Sequence, residues 1–151
     1  MTMSIFAGAN IKVELGTAGD TVSSTFEVIP EIGVFPTSGS ESTVLTVKSF
    51  NSTYDRKLLG SRQVPDITLS VNWLPDNAVH AKLLQASENQ TRVQVRITYY
   101  ENATNTTGYS CVYNGFISKD NVTGDKDQAV VREFTLAVDG KAVESKVLTG
   151  E

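Results

Sequence analysis

A chain of 151 residues, 40% hydrophobic and 20% charged, has the composition of one globular domain large enough to bury a real core. Its net charge of −4 argues against binding nucleic acid by neutralising phosphates, which needs clustered Lys and Arg. The single cysteine, Cys111, excludes an intrachain disulfide and reads as a small apolar core residue in a reduced compartment.

Residues 1–10 carry no pattern of their own and are expected to be a flexible arm. They show neither a basic segment nor a sustained apolar run, so no signal peptide is expected. No stretch approaches the roughly 20 apolar residues that span a bilayer, so no membrane anchor is expected. Ile11, Val13 and Leu15 alternate with Lys12 and Glu14, the period of a half-buried strand. Phe26, Val28 and Ile32 predict a second strand, broken at Pro30. Phe35 to Glu41 reads as a Pro/Gly/Ser loop, and Thr43 to Phe50 as an extended segment with Leu45 and Val47 on one side.

Asn51 to Pro65 mixes charges, Gly60 and two leucines without a period, which predicts a long loop over 51–65. A loop of that length inside a compact domain is usually functional or disordered. Its Leu58-Leu59 pair has two readings, packing on its own domain or burial against a neighbouring subunit, with Arg56, Lys57 and Arg62 at the rim.

From Asp66 to Trp73 polar and apolar residues alternate at every step, putting Ile67, Leu69, Val71 and Trp73 on one face. Leu74-Pro75-Asp76-Asn77 stops this strand and opens a helix over about 75–87, with Val79, Leu83 and Ala86 as its apolar stripe. Thr91 to Tyr99 alternates again, so Val93, Val95 and Ile97 join the core face. Tyr109 to Ser118 and Val130 to Asp139 read as two more strands around a polar turn at Gly124, and residues 140–151 as a flexible polar tail. Residues 1–151 thus predict a single, mainly β domain: a β-sandwich or small barrel with one helix laid against it.

No constellation for catalysis is present. His80 is the sole histidine, expected on a solvated helix surface, and a zinc site needs several His, Cys or carboxylate ligands. Asp125-Lys126-Asp127 lacks the spaced acidic series of a calcium loop. The expectation is no enzyme, no metal and no cofactor.

The central unit is a strand ending in Trp73, then Pro75-Asp76 leading into a helix that ends near Leu83-Leu84. Strands around Gly115-Phe116-Ile117-Ser118 and up to Ala137-Val138-Asp139-Gly140 follow. In order and spacing, from about Thr43 to Val143, this resembles the major tail tube proteins of long-tailed, lambda-like phages. The resemblance implies a structural virion protein, made in the host cytoplasm, whose hexameric rings stack into the hollow tail tube. It also implies tape measure, tail tip and tail terminator proteins as partners, and DNA passing through without specific binding. On that reading Leu58, Leu59, Arg56, Lys57 and Arg62 are candidate contacts between rings. The polar strand faces, Thr68, Ser70 and Asn72 with Gln94 and Thr98, are candidates for the channel wall. Arg92 and Arg96 suit such a wall only if carboxylates pair them or they turn away from it. Two other readings stay open: a type VI secretion-like tube, and a monomeric β-sandwich binding module marked by an exposed aromatic cluster.

Overall fold

The computed structural model describes residues 10–51, 53–101 and 107–149. Along the chain run β1 (Ile11–Thr17), β2 (Phe26–Val28), β3 (Glu41–Val47), β4 (Arg56–Gln63) and β5 (Ile67–Asn72). Helix α1 (Ala78–Asn89), β6 (Arg92–Tyr100), β7 (Thr107–Thr123), β8 (Val131–Val138) and β9 (Glu144–Thr149) follow. Six strands form an antiparallel sheet in the order β2-β1-β6-β7-β8-β5, with β9 also paired to β7, and β3 and β4 form a separate ribbon. The sheet does not close into a barrel.

Strand β7, 17 residues long, organises the sheet. One edge pairs with β6 through Gly108–Phe116, while the other carries β9 along Thr107–Val112 and β8 along Gly115–Thr123. The backbones approach so closely there that a Cβ on Gly108 would lie 2.0 Å from the Tyr99 carbonyl oxygen. One on Gly115 would lie 2.3 Å from that of Ala137. Neither position accepts a side chain without parting the strands.

The core forms where alternating strand faces meet the helix. Ile67, Leu69 and Val71 of β5, Val93, Val95 and Ile97 of β6, and Phe134 and Leu136 of β8 are buried with Val13, Leu15, Cys111 and Ile117. The α1 stripe Val79, Leu83 and Ala86 packs on the same cluster, which Trp73 joins only in part.

Several sequence expectations are corrected here. Segment 51–65 is not a loop, because residues 56–63 are β4; no period was visible because all eight of its residues are exposed, leaving no buried face to mark. The 140–151 tail contains β9, held by backbone pairing to β7. The expected arm at 1–10 lies outside the described residues except for Asn10, whose carbonyl accepts the Tyr100 N–H.

The helix begins at Ala78 rather than Pro75. The Asn77 N–H bonds back to the Leu74 carbonyl, closing a turn, and the Asn77 side chain then caps the N–H groups of Val79 and His80. His80 is fully buried, not solvated. Its ring stacks nearly parallel on Trp73, 5.7 Å away. Nδ1 accepts the Leu74 N–H at 3.2 Å and Nε2 faces the Pro30 carbonyl at 2.9 Å. A backbone N–H can only donate and a carbonyl can only accept, so the proton resides on Nε2.

Candidate functional site

Strands pack two ways in this chain, and the difference singles out a candidate surface. Where β1, β6 and the first half of β7 run side by side, residues on both faces of the main sheet are buried, polar ones included. Gln94 is fully buried: its Oε1 accepts the Ser23 N–H at 2.7 Å, and its Nε2 donates to the Thr21 carbonyl and to Asn114 Oδ1. Asn114 Nδ2 in turn donates to the Gly19 carbonyl at 2.6 Å, so residues 18–25 strap the polar face of β6 and β7. Thr98 and Ser70 are buried as well. These three side chains meet no solvent in the subunit, and the expectation that they line a channel is corrected. A buried polar group must be hydrogen-bonded, which explains why a polar face sits inside. Thr68 is exposed and Asn72 partly so, the latter donating to Glu31.

Gln94→Leu is expected to destabilise the fold by about 1–3 kcal/mol, since it orphans the Ser23 N–H and the Thr21 carbonyl under the strap. Limited proteolysis should then cut within 18–25 before the rest of the chain. Unchanged resistance would show that the strap is held by other contacts.

The awkward cations are paired. Arg96 makes a two-pronged contact with Glu14 at 2.9 and 2.8 Å and lies 4.1 Å over the Phe26 ring, while Arg92 Nε reaches Asp139 at 3.1 Å. Arg132 bonds Asp120 and covers the Trp73 ring. That hydrogen bond from Arg132, opposed by burial and helped by the Ser87 hydroxyl, holds the Asp120 carboxyl below the usual carboxylate range. A depressed folded pKa contributes stability above the unfolded value, roughly 3.9, that is lost as pH falls through the folded one. Asp120→Asn should therefore show a shallower fall in melting temperature below about pH 4. Parallel acid limbs for the two proteins would contradict this.

The β3–β4 ribbon is built differently. Cross-strand partners share a face, so Leu45 with Leu58 and Val47 with Arg56 form one side, and Val44 with Leu59 and Thr46 with Lys57 the other. Val44, Leu45, Leu58 and Leu59 are 52, 50, 57 and 75% exposed. Leu58 and Leu59 are neighbours in a strand and point oppositely, so no single surface of the chain's own domain covers both. Two-stranded ribbons are marginal in water without a covered face. The five candidate residues Arg56, Lys57, Leu58, Leu59 and Arg62 thus all lie on β4, with Arg62 donating to the Ser40 hydroxyl at the ribbon's base.

Two features went unread in the sequence. Phe50 and Tyr54, beyond the ends of β3 and β4, are strongly exposed aromatics at the ribbon tip. At its base opens a cavity of about 1020 Å³ whose lining includes Phe35, Val64, Tyr99, Tyr109, Cys111 and Tyr113. Both depend on the ribbon, whose second strand no periodicity signalled.

By sequence the chain matches no family model and no curated protein. By structure it matches a chain of the SPP1 tail tube, with a TM-score of 0.67 at 15% identity over 97% of this chain and 80% of that one. The fold is that of a tail tube protein. A chain of the native gene transfer agent virion aligns with a TM-score of 0.67 at 13% identity, covering 96% of this chain and 100% of that one. A chain of the tube-terminating cap of the anti-feeding prophage aligns with a TM-score of 0.69 at 18% identity, covering 99% and 94%. In this tail tube fold the β3–β4 ribbon stands outside the packed sheet, and its uncovered apolar pairs make it the candidate assembly surface.

Proposed function

We propose that this protein is a structural, non-catalytic subunit that assembles into stacked hexameric rings, forming the tail tube of a virion through which DNA passes. The carrying observation is the two-sided apolar ribbon on a tail tube fold. A ribbon exposed on both faces is a template for pairing with other chains and a hazard unless it is used. Because Leu58 and Leu59 face opposite ways, the ribbon fits between two surfaces, as a segment inserted into a neighbouring ring would. Side-by-side closure limits a ring, whereas axial stacking stays open and makes a fibre.

Charge supports the same arrangement. Residues 41–63 hold four basic and two acidic residues, leaving 9 basic and 15 acidic elsewhere. Like ribbons repel each other and are attracted to the acidic body of another copy. An acidic body also suits a conduit that must not hold phosphates, with Thr68 and Asn72 as its remaining candidate wall residues. Tape measure, tail tip and tail terminator proteins belong to this proposal as partners at the tube's interior and ends. A type VI secretion-like tube stays as a second reading, since both uses share the ring principle.

Sedimentation and electron microscopy of the concentrated protein test the proposal. Stacked rings are expected. A strict monomer would overturn assembly, and tight, salt-sensitive binding of tubes to duplex DNA would overturn the conduit.

A further inference from the structure

We propose that residues 1–9 of the same chain fill the aromatic cavity at the base of the ribbon, with Ile5 and Phe6 as the side chains that enter it. The cavity, of about 1020 Å³, is lined by Phe35, Tyr99, Tyr109 and Tyr113, and among the described residues its only charged lining groups are Arg62 and Lys141. Phe35 stacks on Tyr99 at 5.3 Å, and the Tyr99 hydroxyl donates to the Pro36 carbonyl while bonding the Ser38 hydroxyl at 2.9 Å. Burial pushes the Tyr113 phenol up to about 12 and raises Tyr99 in the same direction. The aromatic wall is therefore uncharged at working pH and held in place before anything enters. Its size lies at the upper end of the range for ligand pockets, roughly 300–1,000 Å³, which suits a short peptide segment better than a single ring.

Position, chemistry and reach select this segment. The Asn10 carbonyl accepts the Tyr100 N–H, and Ile11 lies opposite Tyr99, so their side chains share the face on which the cavity opens. The chain before Asn10 therefore leaves β1 at the end of the sheet where Tyr99 and its partner Tyr109 stand. Residues 1–9 include Met1, Met3, Ile5 and Phe6 and carry no charged side chain, so Arg62 and Lys141 do not oppose them. The ribbon tip, with Lys48, Arg56 and Lys57, is repelled by the same two cations. Residues 102–106 and 150–151, also outside the described part of the chain, offer no large apolar side chain. Neighbouring strands lie about 4.8 Å apart, which puts β7 about 10 Å from β1 across β6. The four residues from Asn10 back to Phe6 cover about 13 Å when extended. Seated there, the segment covers Phe35 and Tyr109, which are 48 and 38% exposed. The contact lies within one subunit and holds whether or not subunits assemble.

Cys111, the chain's only cysteine, lines the cavity and reports on it. Ile5→Cys and Phe6→Cys are made separately in the full-length chain, because neighbours in an extended segment point opposite ways. Each variant then has two cysteines, so a disulfide within a monomer can only join the segment to Cys111. Oxidation of dilute protein should give that disulfide in at least one variant, seen as a faster monomer band on a non-reducing gel and reversed by reductant. In the Ile5→Ser/Phe6→Ser chain, a soluble maleimide should label Cys111 roughly tenfold faster or more than in the unmodified chain, since two buried apolar side chains no longer hold the cavity shut. Disulfides that link two copies instead would seat the segment in a neighbour's cavity and overturn this placement. Absence of any disulfide from either position, with Cys111 labelled at equal rates in both chains, would overturn it altogether. Neither result bears on the assembly reading, which sedimentation tests by itself.

Discussion

Replacing Leu58 and Leu59 together by serine is expected to abolish tube formation while leaving the monomer's melting temperature nearly unchanged. Neither leucine touches the core, and both are more exposed than buried. The loss within the subunit is limited to two cross-strand pairs, Leu58 with Leu45 and Leu59 with Val44, each worth about 0.2–1 kcal/mol. At an interface the same side chains sit on opposite ribbon faces, so the double change removes apolar contact from both. A fully buried leucine is worth roughly 1.5–3 kcal/mol by transfer. Two lost at every copy of a repeating contact exceed what a reversible polymer tolerates. The measurement pairs thermal unfolding with sedimentation. A cooperative loss of fold would place the leucines in the monomer's core, and normal tubes would place stacking on another surface.

Phe134→Ala is expected to act in the opposite way, unfolding the subunit before assembly is reached. Phe134 is fully buried on β8, opposite Leu69 of β5, with its ring 6.4 Å from Trp73. Emptying a large aromatic site costs about 3–5 kcal/mol, the transfer term plus the cavity left behind. At roughly 2–4 °C per kcal/mol for a chain of this size, the melting temperature should fall by about 6–20 °C. Trp73→Ala should cost less, since Trp73 is only partly buried and its far face is covered by Arg132 rather than by core. Equal losses at the two positions would contradict that ordering. Calorimetry on both variants measures it.

The sequence by itself determined the main sheet and its core. Where one face of a strand is buried, every second residue is apolar, and Ile67-Leu69-Val71 and Val93-Val95-Ile97 carry that mark in the residues alone. The cap at Asn77 and the stripe Val79, Leu83 and Ala86 likewise make the helix legible to within a few residues. Tertiary structure decided everything that depends on which surface meets water. Gln94, Ser70 and Thr98 alternate like an exposed polar face, and only the strap at 18–25 with Asn114 shows the Gln94 face to be inside. His80 lies beside the apolar stripe, and only the Leu74 and Pro30 backbone groups reveal why an imidazole is buried there. The ribbon is the sharpest case. Arg56–Gln63 has no period because it buries neither face, and strand pairing there rests on backbone hydrogen bonds that side-chain patterns do not record. Its two leucines were visible in the sequence, but that they point to opposite sides follows from the pleat of a strand the sequence did not announce.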